Sequence, residues 1–173
     1  MSEKITLRQL SNLDEVARLD EEFSLHYNWY HKSEYYNKCL EENLEGNRIT
    51  LMAYYEDKLA GCCHLIYNSQ YPFFLNEKIP EINDLSIFPE YRRKKIASRL
   101  FDELERMASK TSSYIGLGVG LYRDYGKAQI MYSKRGYVMD GRGMMYNNIQ
   151  VKPGEPVMVD DELLIYLVKD LRI

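Results

Sequence analysis

A run of positive charge in the middle of the chain is the feature with the clearest chemical meaning. Four consecutive cations, Arg92, Arg93, Lys94 and Lys95, follow a strand-like segment and open a helix-like one. The first turn of a helix carries unpaired backbone N–H groups and a partial positive charge, so four cations there oppose the helix dipole. A bound phosphate or pyrophosphate relieves that excess. The run therefore predicts an anion site, and the alternative is a solvated basic patch.

The overall charge makes this run stand out. The chain has 173 residues and a formal net charge of -3, which gives it no general electrostatic reason to bind nucleic acid or an anionic membrane. Its length suits one domain, residues 1–173, with one hydrophobic core. Residues 1–10 are polar and broken by charges, and no apolar run is long enough to span a bilayer. We therefore expect a cytoplasmic protein without a signal peptide.

The cysteines and histidines indicate neither a disulfide nor a metal site. They are Cys39, Cys62, Cys63, His26, His31 and His64. Their spacing is not that of metal ligands, and neighbours on a strand point to opposite faces, which disfavours a Cys62–Cys63 bridge. A nucleophilic Cys62 or Cys63 is the alternative, but no His/Asp partner is identifiable. We expect no metal and three reduced thiols, mostly buried.

The hydrophobic pattern places the basic run between a fourth strand and a long amphipathic helix. Strands are predicted over residues 4–10, 47–55, 59–68, 81–88, 114–121, 137–140 and 163–168. Helices are predicted from a capping box at Asn12 to about residue 22, between a Ser33 cap and Gly46, over about 91–110 and over about 125–134. Residues 69–78 and 144–156 are predicted as loops. This order indicates a mixed sheet covered by helices, in the α/β or α+β class.

The stretch LSIFPEYRRKKIAS at residues 85–98 resembles the cofactor-binding motif of the GNAT superfamily of N-acetyltransferases. That pattern reads Gln/Arg-x-x-Gly-x-Gly/Ala after the fourth strand, with Arg92 in its first position and Ala97 in its last. The resemblance implies the GNAT fold, a twisted, mixed, mostly antiparallel sheet flanked by helices. It implies that the loop amides hold the pyrophosphate of acetyl-CoA and that the preceding strand pairs with the pantetheine arm. The cofactor-binding residues so implied are Leu85, Ser86, Ile87, Arg92, Arg93, Lys94, Lys95, Ile96, Ala97 and Ser98.

Lys95 departs from this pattern, because the family has a glycine at its position. Glycine tolerates unusual backbone dihedrals and lets the backbone approach a phosphate closely. Lys95 must either adopt an ordinary conformation or carry strain, with its side chain turned away or joined to the phosphate.

A second resemblance lies downstream, in the stretch AQIMYSKRGY at residues 128–137. It is similar to the family's Asn-x-x-Ala-x-x-Leu-Tyr-x-Lys-x-Gly-Phe segment. Tyr132 stands at the tyrosine that protonates the leaving thiolate in many members, and the alternative is a helix tyrosine packed on the sheet. Tyr125 replaces the usual asparagine, which alters or removes one contact to the cofactor.

Three glycines alternate along the strand that follows the long helix, at residues 116, 118 and 120. A strand face without side chains lets another group approach closely. In the family this strand diverges from the preceding one and the pantetheine enters the gap. The alternative, held equal, is simple packing of a helix on the sheet.

Glu81 is the candidate general base, because it precedes Arg92 by the same interval as the base glutamate of the histone-type branch of the family. An ammonium has no lone pair with which to attack a thioester, so a carboxylate or a water must take its proton. Asp84, on the same strand, is the fallback, and its side chain should face opposite to that of Glu81. The alternative for Glu81 is a solvent-facing strand carboxylate.

The resemblance implies an enzyme that moves an acetyl group from acetyl-CoA directly to a primary amine of a small molecule or peptide, and it allows a homodimer. One alternative is a non-catalytic coenzyme A-binding or sensing protein of the same fold, which the departures at Lys95 and Tyr125 favour. A second is an enzyme that binds a nucleoside triphosphate, against which the absence of G-x-x-x-x-G-K-[ST] argues. The sequence leaves the acceptor open, although its acidic balance favours a cationic one.

Overall fold

A computed structural model describes residues 4–172, so the first three residues of the polar N-terminus lie outside it. The strands are β1 (Ile5–Gln9), β2 (Arg48–Tyr55), β3 (Lys58–Ile66), β4 (Glu81–Ile87), β5 (Tyr114–Gly120), β6 (Val138–Tyr146), β7 (Ile149–Gln150) and β8 (Leu163–Asp170). The α-helices are α1 (Leu13–His26), α2 (Tyr35–Glu45), α3 (Pro72–Glu77), α4 (Ile96–Ala108) and α5 (Gly126–Lys134). Short 3-10 helices cover Pro89–Tyr91 and Arg123–Tyr125.

The strands form a mixed, mostly antiparallel sheet in the order β1-β2-β3-β4-β5-β8-β6-β7. β4 and β5 run parallel and pair at Glu81 with Gly116 and at Ile82 with Leu117. A parallel pair needs a long crossover, and α4 supplies it. The pairs β1–β2, β2–β3, β5–β8, β8–β6 and β6–β7 are antiparallel. The fold class predicted from the sequence is confirmed.

The chain divides into two compact units. The first comprises the described residues up to Ile66 together with Asn83–Arg106, and the second comprises Tyr67–Ile82 together with the described residues from Met107 onward.

One cluster of buried aromatic and aliphatic side chains in the first unit comes mainly from α1, α2, β2 and β3. Helix α1 begins at the predicted cap, where the Glu15 N–H donates to Asn12 Oδ1 at 3.0 Å, and it runs on to His26, past the predicted end. Helix α2 ends at Gly46, which has a φ of +79°. Ser33 Oγ accepts from the Tyr35 N–H at 3.3 Å, although the residue directly before the helix is Glu34.

One cluster of buried side chains in the second unit lies around the segment predicted as a loop over residues 69–78. It contains Tyr71, Phe74, Ile79, Met145 and Tyr166. The loop prediction is wrong, because residues Pro72–Glu77 form α3. Proline is favoured at a first helical position, where its missing N–H costs nothing and its fixed φ suits the helix.

Two further boundaries differ from the sequence prediction. The long helix begins at Ile96 rather than near residue 91, because a 3-10 turn and a non-helical segment precede it. The predicted loop over 144–156 is wrong at its start, where β6 runs to Tyr146 and pairs with β7. Asn147 and Asn148 connect these strands with φ values of +49° and +62°, which asparagine tolerates better than most residues.

No helix within residues 4–172 is both long and apolar enough to cross a bilayer.

Candidate active site

The four cations lie directly before α4 and not in its first turn, which corrects the sequence prediction. Arg92, Arg93, Lys94 and Lys95 are all exposed, and the first helical hydrogen bond runs from the Arg99 N–H to Lys95 O at 3.1 Å. The N–H groups at the start of a helix have no acceptor within it. The segment therefore brings cations next to unpaired helical donors, as an anion site requires.

The backbone of this segment takes the conformation that glycine favours. Lys95 has a φ of +63°, and so does Arg93. A non-glycine residue in this region costs roughly 1 kcal/mol or more, and such strain clusters at ligand sites. Of the two outcomes foreseen for Lys95, the structure shows the strained one. Lys95 thus has a backbone conformation that glycine adopts without steric cost.

Two of the cations are held by neighbours within the first unit. Arg92 Nε donates to Ile87 O at 3.2 Å, and Lys94 Nζ lies 4.3 Å from the centre of the Tyr55 ring. Such contacts orient the side chains without neutralising their charge. Of the remaining residues implied in cofactor binding, Ile96 is buried, Ala97 is half-buried and Ser98 is exposed.

The end of β4 is fixed against β3. A Cβ on Gly61 would stand 2.1 Å from Ser86 O, so only glycine allows this approach. The Phe88 N–H donates to Ala60 O at 2.9 Å. Leu85, Ser86 and Ile87 are half-buried along this part of the strand.

Glu81 is buried in the second unit, with 6 % of its surface exposed, so it is not a solvent-facing carboxylate. The Ser69 hydroxyl donates to Glu81 Oε2. Gly116, opposite Glu81 on β5, is covered by the Phe74 ring. The Glu81 carboxylate is therefore buried and held by a hydroxyl donor, as a positioned general base would be.

Asp84 differs from Glu81 in its exposure. It is exposed, with a φ of +48°, and its Oδ2 accepts from the Tyr35 hydroxyl at 2.5 Å. Burial, followed by the charge of Asp84, raises the pKa of Tyr35.

Tyr132 is buried on α5, and its ring makes an edge contact with Tyr137 at a centroid distance of 6.2 Å. Tyr125 stands just before this helix, with its hydroxyl donating to Asp161 Oδ1 at 2.7 Å. Burial and the bond to Asp161 raise the pKa of Tyr125. The Tyr125 hydroxyl thus already has an acceptor within the chain.

The three glycines of β5 are covered by aromatic rings of the second unit. A Cβ would stand 2.2 Å from Phe74 at Gly116, 3.0 Å from Tyr166 at Gly118 and 2.3 Å from Tyr125 at Gly120. The close approach predicted for this face is therefore made by side chains of the chain itself. The ring over Gly116 belongs to α3 and the ring over Gly120 directly precedes α5, so at these two glycines the packing of helices on the sheet accounts for the missing side chains.

The thiols and His64 are core residues. Cys39, Cys62 and Cys63 are buried and unbridged, as expected. Burial raises the pKa of Cys39 to about 11 and that of Cys62 to about 12, so both remain protonated and weakly nucleophilic near neutral pH. Burial lowers the pKa of His64 to about 3, and its Nδ1 is 2.8 Å from Thr50 Oγ1. Within residues 4–172, no cluster of His, Cys, Asp or Glu could hold a metal ion.

Sequence reasoning missed Ser69 and Tyr166, which surround Glu81. Ser69 lies in the segment predicted as a loop, and Tyr166 lies in the last strand. No local pattern distinguishes either residue, because only the tertiary fold brings them to Glu81.

A family model described as the acetyltransferase (GNAT) family matches residues 10–137. The chain belongs to the GNAT acetyltransferase family. The match covers the motif at residues 85–98 as well as Tyr132, and it confirms the resemblance drawn from the sequence. No curated protein matches the chain in sequence.

Solved structures share the GNAT fold at low identity. The chain is similar to a spermidine N-acetyltransferase chimera from Vibrio cholerae and hSSAT (15 % identity, 98 % of this chain and 96 % of that chain, TM-score 0.65). It is similar to Arabidopsis thaliana Naa50 in complex with the bisubstrate analogue CoA-Ac-MVNAL (19 % identity, 97 % of this chain and 99 % of that chain, TM-score 0.61). It is also similar to an aminoglycoside 6'-N-acetyltransferase complexed with coenzyme A (19 % identity, 96 % of this chain and 97 % of that chain, TM-score 0.66).

Proposed function

We propose that this GNAT protein transfers the acetyl group of acetyl-CoA directly to a primary amine. The observation that carries the proposal is the backbone of the motif loop. Lys95 keeps a left-handed conformation where the family has glycine, and α4 begins at the next residue. A chain that had lost its anion ligand would have little reason to retain this strain beside four cations.

The loop and the helix start are suited to a diphosphate. Unpaired N–H groups at residues 96–98 and the partial positive charge of α4 favour an anion, and the flanking cations add to its binding. Arg93 and Lys95 are exposed and carry the left-handed backbone, so these two side chains are the ones we assign to the phosphates. Arg92 and Lys94 contribute charge from fixed positions.

Bound acetyl-CoA supplies an activated thioester whose acetyl carbon accepts the amine. Glu81 takes the proton of the ammonium, directly or through one water, and so generates the lone pair that attacks. A strand N–H near Ile87 stabilises the oxyanion. The Phe88 N–H is not this donor, because it already bonds Ala60 O. Tyr132 gives its proton to the departing thiolate as the C–S bond breaks, and the second proton that the nitrogen loses restores the Tyr132 hydroxyl through solvent. Holding both substrates in line provides much of the acceleration.

The proposed acceptor class is suggested by the names of structurally similar proteins. A spermidine N-acetyltransferase, an aminoglycoside 6'-N-acetyltransferase and a Naa50 complex with a peptide-bearing bisubstrate analogue all share the fold. The first two are named as N-acetyltransferases. The exposed Asp84 carboxylate and the net charge of -3 favour a cationic one.

An amine panel that follows the release of free thiol from acetyl-CoA tests this function. The panel contains spermidine, an aminoglycoside and a peptide with a free N-terminus, and we expect turnover on at least one amine. Calorimetric binding of acetyl-CoA without turnover on any amine would favour the non-catalytic alternative. If ATP raises the melting temperature more than acetyl-CoA does, the proposal fails.

The assigned roles are tested by Glu81→Gln and Tyr132→Phe. We expect each to lower kcat by about 10²–10⁴-fold, the range for a lost general acid or base. Wild-type rates in both variants would reject the roles, and a melting curve for each variant shows whether it is folded.

A further inference from the structure

Glu81 belongs to a buried polar cluster in the second unit. Ser69 is 2 % exposed and Glu81 is 6 % exposed. The Ser69 hydroxyl donates to Glu81 Oε2, and Ser69 Oγ accepts from the Tyr71 N–H at 3.0 Å. We propose that Ser69 is a positioning residue that orients the Glu81 carboxylate and stabilises its ionised form. This inference rests on the proposed role of Glu81 as the base.

The position of the Ser69 proton follows from its two partners. A backbone N–H can only donate, so the Tyr71 N–H occupies a lone pair of Ser69 Oγ. An ionised carboxylate can only accept, so the Ser69 proton points to Glu81 Oε2. Burial disfavours an ionised carboxyl, and a hydrogen bond to its charged form favours it. Ser69 therefore offsets part of the effect of burial and keeps the base ready to accept a proton.

Tyr166 is an ionisable residue whose electrostatics couple to Glu81. Its pKa is raised first by burial and then by the negative charge of Glu81. Its hydroxyl donates its single proton to Asn148 Oδ1 and so does not donate it to Glu81. Tyr71, Glu162 and Asp140 also act electrostatically on Tyr166, and Arg142 acts on Tyr71. Ser69, and not Tyr166, is thus the hydroxyl donor to the carboxylate.

The segment that carries Ser69 is itself held in place. The Tyr71 ring stacks on Tyr166 with centroids 3.8 Å apart and an interplanar angle of 8°. The Tyr71 hydroxyl donates to Asp140 Oδ2 at 2.7 Å. Because Tyr71 is two residues from Ser69, these contacts fix the Ser69 backbone before any substrate binds.

The test compares Ser69→Ala with the wild type in the pH dependence of kcat/KM and in a ¹³C NMR titration of the Glu81 carboxyl. The titration needs no substrate. We expect the acid limb of the profile and the NMR midpoint to move upward together by about one to two pH units, the equivalent of a lost hydrogen bond to a charged group. Ser24→Ala is the matched control, because that hydroxyl bonds the Asp20 carbonyl at 2.7 Å in the first unit. It should move neither quantity.

Two outcomes separate this inference from the proposed function. If Glu81→Gln abolishes turnover while Ser69→Ala leaves both the profile and the midpoint at their wild-type values, the role of Ser69 is overturned and the base stands. If Glu81→Gln retains full activity, the base assignment fails, and the NMR midpoint alone decides whether Ser69 stabilises the carboxylate. Should Ser69→Ala not fold, Ser69→Cys keeps the volume with a weaker donor and should shift the midpoint upward by less. An unmoved midpoint in that variant contradicts the inference.

Discussion

Replacing Lys95 by glycine and, separately, by alanine isolates the backbone strain of the motif loop. Both variants remove the cation, so their difference reports the φ of +63°. A left-handed backbone costs an ordinary residue about 1–2 kcal/mol, and the extra freedom of glycine in the unfolded chain offsets about 0.5–1 kcal/mol of that gain. Lys95→Gly should therefore be more stable than Lys95→Ala by about 1 kcal/mol. For a chain of this length that difference is about 2–4 °C in Tm.

The matched control lies one residue earlier. Lys94 does not have a positive φ, so glycine gains nothing there and Lys94→Gly should be less stable than Lys94→Ala. Thermal melts followed by circular dichroism, together with urea unfolding at one temperature, measure all four variants. If alanine at position 95 is as stable as glycine, the loop does not have the left-handed turn. The reasoning from the glycine motif then fails.

Three more predictions concern other parts of the molecule. Burial lowers the pKa of His64 from an ordinary value of about 6.5 to about 3. Below pH 6.5 the unfolded chain therefore binds a proton at His64 that the folded chain does not bind. The free energy of unfolding should fall by about 1.4 kcal/mol per pH unit as the pH drops from about 6.5 toward about 3. His64→Gln should flatten the acid side of the stability curve measured by urea unfolding, and an unchanged curve would contradict the buried neutral imidazole. Gly116→Ala places a Cβ 2.2 Å from the Phe74 ring and should lower the unfolding free energy by about 1–3 kcal/mol. Gly126→Ala is the control, because its Cβ would have nothing within 4 Å, and it should not lower the unfolding free energy. Equal melting temperatures for the two variants would refute the packing of Phe74 on Gly116. Iodoacetamide should label Cys62 only under denaturing conditions, because the thiol is buried and its pKa is raised to about 12. Mass spectrometry measures the labelling. Rapid labelling of the native protein would contradict the buried position of this thiol.

The sequence predicted most of the secondary structure, because the strands and helices carry clear periodicity. Helix α3 was missed because its six residues are too few for a periodic pattern and include Phe73 and Phe74, which have no strong preference for helix. The β6–β7 pair was missed because the turn at Asn147 and Asn148 has no glycine. The start of α4 was misplaced because left-handed residues in a basic run are not visible in composition.

The candidate site was predictable only where a motif carries it. Arg92 and Tyr132 were predicted from spacing within family patterns, and both lie within the residues that the family model matches, while their roles remain predictions. The partners of Glu81 could not be found in this way. Ser69 lies 12 residues before Glu81, and Tyr166 lies in the last strand. Only tertiary packing brings both close to Glu81. The glycines of β5 were noticed, but the rings that cover them come from distant segments for the same reason.

The central claim is that the loop before α4 and the first turn of that helix bind the diphosphate of acetyl-CoA. A ¹H–¹⁵N NMR titration of the ¹⁵N-labelled protein with acetyl-CoA tests it directly. We expect saturable shifts that are largest at the backbone amides of residues 93–98, where the left-handed turn meets the helix start. Saturable binding that leaves these amides unmoved, or no binding at millimolar acetyl-CoA, would contradict the account.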